Sequence, residues 1–151
     1  MNTDERRVAE LVRRAFRGVF LGNGIGLRQA RGLDNYADSK TLAALRADDE
    51  KRDWSLIPFE DLHQFSGSLC FLDAEGMRFH LPDFLIASIE GSNEAIFFHL
   101  LHPDKRFELL SREQRQAVRE VLLLRLHNLS ESQRGFEGPL IEDALSTNWR
   151  E

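Results

Sequence analysis

Residues 71–91, FLDAEGMRFHLPDFLIASIEG, carry nine large apolar side chains, a mid-segment proline and the glycines Gly76 and Gly91. The reading of this stretch decides the fold. Ala74-Glu75-Gly76 reads as a break in the chain, and a residue that precedes proline is steered away from helical backbone. Met77–Leu81 is therefore expected to be extended. Pro82, suited to the first helical position, is expected to open a helix that turns Phe84, Leu85, Ile86 and Ile89 inward and ends near Gly91. Phe71, Leu72, Phe79 and Leu81 complete a set of core candidates, which leaves Arg78, His80 and Asp83 for the surface.

On either side of this stretch the dominant period is helical. Val8, Leu11, Val12, Ala15, Phe16, Val19 and Phe20 form one apolar stripe, with Thr3 as a suitable N-cap, acids in the first turn and Gly22 as a natural stop. Leu21–Leu27 is a connector and Leu27–Asp34 a short helical turn. Asp38 or Ser39 caps a helix through about Ala47, with Leu42 and Leu45 inward. The acid-rich run Asp48–Asp53 reads as an exposed link. Pro58 opens a short helix with Phe59 and Leu62 inward, and Ser66 or Ser68 caps a further turn. Residues 95–101 fit a buried helix or a buried strand equally well. Ser111 and Gln114 form a capping box for a helix to about Asn128, whose apolar positions cover more than half its circumference. Gly135–Gly138 reads as a break, followed by a last short helix from Pro139. The expectation is a mainly α protein, one compact domain over residues 1–151 with six to seven helices and a short extended or hairpin segment around 77–81 and 95–101.

A chain of 151 residues suits one domain, and its 11 Phe supply a substantial aromatic core, so folding needs neither metal nor disulfide. The single cysteine, Cys70, lies in the apolar run Leu69-Cys70-Phe71-Leu72 and is expected to be buried and inert. The arginine-rich N-terminus has no continuous apolar leader, and the longest aliphatic run, residues 121–124, is too short to cross a bilayer. A soluble, cytoplasmic setting without membrane attachment is the simplest expectation. The net charge of −5 is unevenly placed: residues 1–33 hold seven Arg against three acids, whereas residues 34–61 hold eight acids against four bases. Acidity argues against nucleic acid as the partner and suits a basic protein.

The motifs that would announce chemistry are absent. Gly22-Asn23-Gly24-Ile25-Gly26 follows a helix rather than a strand and has the wrong spacing for a dinucleotide loop, and no Gly-Lys-Ser/Thr follows. Glu60 and His63 make one E-x-x-H pair, where a carboxylate-bridged di-metal bundle needs two. No H-E-x-x-H or G-x-S-x-G occurs. No residue is singled out as catalytic and no cofactor is expected. His80, His99 and His102 are the metal-ligand candidates, the latter two in an H-x-x-H pair.

The order Ala15-Phe16, Trp54, Leu62, Phe71-Leu72, then Arg78–Leu85 (RFHLPDFL) and a downstream helix opened by Ser111 and Gln114 resembles a family of small uncharacterised bacterial cytoplasmic proteins. The likeness spans residues 9–128, and its hallmark is an aromatic-x-Leu-Pro-x-aromatic-Leu core. Asp83 stands where that family carries a small residue. The resemblance implies no activity, but small size and acidity are similar to those of immunity proteins that neutralise toxins. The leading expectation is a non-enzymatic protein that binds a protein partner, as an immunity or accessory factor, through Asp48, Asp49, Asp53, Arg78, His80 and Asp83. The alternatives are a metal-dependent hydrolase or metal-binding protein using His80, His99 and His102, and a structural homo-oligomer.

Overall fold

The structure, a computed structural model, describes all residues from Met1 to Glu151. Eight helices run in the order α1 (Thr3–Ala15), α2 (Leu27–Asp34), α3 (Ser39–Asp48), α4 (Phe59–Phe65), α5 (Ala74–Ile89), α6 (Ile96–Leu101), α7 (Arg112–Asn128) and α8 (Glu131–Ser146). Short 3-10 stretches lie at Trp54–Leu56, Ser66–Phe71 and Lys105–Phe107, and there is no strand. The protein is mainly α, as the periodicity implied. No helix is long and apolar enough to cross a membrane.

The segment 77–81, expected to be extended, is helical, and residues 95–101, which fit helix or strand, lie almost wholly in α6. Asp73 Oδ1 accepts hydrogen bonds from the Gly76 and Ile25 amides, so Ala74-Glu75-Gly76 is a helix start rather than a break. α5 then continues through Pro82. An interior proline costs about 3 kcal/mol through the lost amide bond and the ring clash. Met77, Phe79, Leu81, Phe84 and Leu85 are all fully buried around it. At roughly 1.5–3 kcal/mol for each buried large side chain, packing outweighs the local penalty several times over. α8 likewise runs through Gly135, Gly138 and Pro139, where a break was expected. Gly138 has no Cβ to meet the proline ring, which lessens the steric objection to helix before Pro.

Local signals near α1 need smaller adjustments. Asn2, not Thr3, is the N-cap, its side chain accepting from the Glu5 amide at 2.8 Å. The helix stops at Ala15, and the chain turns at Gly18 with φ +78°, a left-handed conformation suited to glycine. Phe20, which continues the helical period on paper, is exposed. Phe59 and Cys70, both expected inside, are exposed as well.

Residues 1–17, 85–103 and 110–151 form one compact unit; residues 18–84 and 104–109 form another. In the first, α7 packs against α1 and α8, and α6 packs against α8. The broad apolar surface of α7 is thus used inside the unit, with Ala117, Val118, Val121 and Leu122 buried. Gln114, after completing its capping box, donates to the Ala15 carbonyl at 3.1 Å and ties the end of α1 to the start of α7. The α1 arginines are partly paired, Arg7 with Asp4 and Glu120, Arg13 with Glu10. Arg125 sits between Glu94 and Glu137 and over the Phe97 ring. Trp149 is buried beyond α8, its indole N–H donating to the Leu100 carbonyl at 2.8 Å.

In the second unit, α2 packs against α3, α4 and the Ser66–Phe71 stretch. Leu27, Ala30, Leu62, Phe65, Leu69, Phe79 and Leu81 are buried in it. Arg106 donates to the Leu69 carbonyl, and the Leu21 amide to the Lys51 carbonyl.

Candidate functional site

The acid-rich run at the end of α3 is exposed at Asp48, Arg52 and Asp53, as its composition suggests, but not at Asp49. Asp49 is only 6% exposed, and its two carboxylate oxygens accept from the Arg28 amide at 2.8 Å and the Gln29 amide at 3.2 Å. It therefore caps the N-terminus of α2 from a distant part of the chain, where the helix dipole favours an anion. Burial raises its pKa above the ordinary carboxylate value, and these amides together with the Arg28 charge oppose that rise. Lys51 Nζ bonds the Asp49 and Ala47 carbonyls and folds the run back on itself. Gly26, the N-cap residue of α2, makes this possible, because a side-chain Cβ there would overlap the Asp49 carboxylate. Gly26→Ala is expected to cost about 2 kcal/mol through overpacking and loss of the cap, read as a lower urea midpoint. An unchanged midpoint would contradict the tight fit.

Beside this cap lies a cavity of about 300 Å3. Asp48, Asp49, Glu50 and Asp61 contribute to its wall with Arg28 and His80; Leu27, Leu56, Ile57 and Pro58 complete it. Arg28 pairs with the buried Asp61 at 3.2 Å and lies over the Phe65 ring. Glu50 accepts from the Arg52 and Asp53 amides, which holds its carboxylate below the ordinary range. His80 projects from α5, is 1% exposed, and neither of its ring nitrogens has a protein hydrogen-bond partner. Burial pushes its pKa down to about 3, so the ring is neutral at physiological pH.

Asp83 follows His80 by one helical turn, which places both on one side of α5. It is half-buried with Oδ2 unpartnered, and burial, reinforced by the Asp53 charge, pushes its pKa up to about 8. Arg78 is also half-buried, with Nε unpartnered. The expected surface set on α5 is therefore sunk into the protein, because the helix continues where an extended segment was foreseen. Of the six residues singled out for partner binding, Asp48, Asp49 and His80 meet at one cavity, and Asp53 and Asp83 are electrostatically coupled. Arg28 and Asp61 carry no signal in the sequence, since nothing local links residues 28, 49, 61 and 80.

The three metal-ligand candidates do not assemble. His80 belongs to the 18–84 unit, whereas His99 and His102 belong to the other, His99 buried and His102 exposed, each ring edge-on to Phe98. No three His, Cys, Asp or Glu side chains are grouped to hold a metal ion. Two further clefts lie in the other unit. One, of about 250 Å3, has the already paired Arg125 in its wall. The other is lined by Arg112, Arg115, Arg119 and Arg150. There Arg115 and Arg119 are engaged with backbone carbonyls of Leu145, Asn148 and Trp149 at the end of α8.

A helical protein with an acid-walled cavity and no group of three metal-ligating side chains is the class that these features define. The chain belongs to a family of unknown function, DUF6714, whose model matches residues 4–151. No curated protein and no solved structure matches it.

Proposed function

We propose that this is a non-enzymatic interaction protein that engages a basic surface of another protein at the mouth of the acid-walled cavity. The observation that carries the reading is the pairing of carboxylates with uncovered apolar groups at one place. Leu56, a cavity residue, is 66% exposed, and Pro58 and the adjoining Phe59 are exposed too. Apolar anchors beside charges complementary to the partner are the usual anatomy of a protein interface. Charge then steers the encounter and selects the partner, while the apolar groups supply contact area. An acidic factor that neutralises or assists a basic protein, as immunity and accessory proteins do, has use for such a surface.

The test is a photo-crosslinking residue in place of Leu56, used in a low-salt extract of the native cell. A discrete adduct is expected, reduced about tenfold in rate of formation by Asp48→Lys and by added salt. Asp48 is the right position because it is exposed, whereas Asp49 holds α2 in place. An adduct indifferent to the Asp48 reversal, or no adduct from position 56, overturns the reading.

A further inference from the structure

We infer that the cavity receives one guanidinium or ammonium group, which donates a hydrogen bond to the unpaired His80 ring and is held by the Asp48 and Asp61 carboxylates. The inference rests on the interaction reading above and names the chemistry of the group that enters.

Four observations lead to it. Four acids against one arginine line the wall, so the local field favours a cation. The α2 amides that would otherwise draw an anion are already taken by Asp49. No cluster of three ligating side chains exists for a metal ion. The imidazole at the wall is almost wholly buried with both nitrogens unpaired, a state that costs about 1–3 kcal/mol per unsatisfied polar group. A donor from outside relieves that cost, and an unprotonated ring nitrogen is an acceptor. His80 is therefore the group that a positively charged donor reaches, and Leu56, Ile57 and Pro58 give the stem of that donor an apolar path. An arginine or lysine side chain of a partner has this chemistry, and so does a free small amine.

The experiment follows the His80 ring nitrogens by NMR in the full-length protein labelled with nitrogen-15 histidine. The probes are n-butylguanidinium, n-butylammonium and the uncharged isostere n-butylurea. Both cations are expected to shift the His80 signals saturably, and n-butylurea is not. Asp48→Asn is expected to weaken the cations roughly fivefold, the scale of one exposed charge interaction. His80→Gln, which keeps one polar group at the wall, is expected to weaken them further. Equal shifts from n-butylurea, or no saturable His80 shift with either cation, overturn the inference. The crosslink from position 56 separates the two proposals. An adduct without cation binding leaves an interface that does not use the cavity. Cation binding without an adduct makes the ligand a free amine and overturns the partner reading alone.

Discussion

Asp83→Asn is expected to stabilise the protein by on the order of 4 kcal/mol at pH 9 and by little at pH 4. The folded-state pKa of Asp83 is about 8, raised by burial and then by the Asp53 charge, against about 3.9 in an unfolded chain. Between these values the folded protein holds a proton that the unfolded chain releases, so stability falls as pH rises from about 4 to about 8. Asparagine copies the shape of the protonated acid without the linkage, which removes that slope. His80 acts in the opposite sense over a different window. Its pKa of about 3, lowered by burial, lies below the unfolded value of about 6.5, so its contribution to stability rises with pH between the two. Where the windows overlap, from about pH 4 to 6.5, the two slopes offset. Above that only the Asp83 loss continues. Urea unfolding of both proteins across pH 4–9 measures the difference directly, and a gap that stays constant over the range would refute the buried-acid account.

Trp149→Ala is expected to cost about 5 kcal/mol. The side chain is 1% exposed, and truncating a buried tryptophan costs about 3–5 kcal/mol in lost transfer and cavity terms. The change also deprives the Leu100 carbonyl of its buried indole donor, worth a further ~1–3 kcal/mol. The Arg115 guanidinium, 4.8 Å from the ring, loses its cation–π partner as well. A loss of this size is comparable with the whole stability of many domains, about 5–15 kcal/mol. Trp149→Phe keeps most of the apolar area and drops the hydrogen bond, so it is expected to lose about 2 kcal/mol. Urea midpoints of the two variants check the pair. A loss under ~1.5 kcal/mol in the alanine variant would mean that the C-terminal segment is not anchored as described.

What the sequence made legible is what neighbouring residues decide. The capping box at Ser111 and Gln114, the Asp38 cap and the α1 stripe as far as Phe16 are present, because each depends on residues within one or two turns. At Pro82 tertiary burial overrides the local preference, whereas Gly76 belongs to a helix start capped by Asp73, and Pro139, itself exposed, follows a glycine that lacks a Cβ. The site was less legible still. Asp49 looks like one acid among several, and only its distance from the Arg28 and Gln29 amides in space reveals it as a cap. His80 reads as a surface residue only on an extended segment; in the continuous helix α5 it is buried.

The packing of α1 against α7 has a further consequence during synthesis. Arg112, the first residue of α7, lies 97 residues beyond Ala15, the last residue of α1. At about 5–20 residues per second the ribosome needs roughly 5–20 s to deliver that partner. Throughout this interval the apolar stripe of Val8, Ala9, Val12 and Phe16 has no α7 to cover it. Much of the 18–84 unit leaves the exit tunnel in the meantime, so the first helix made is among the last to find its place.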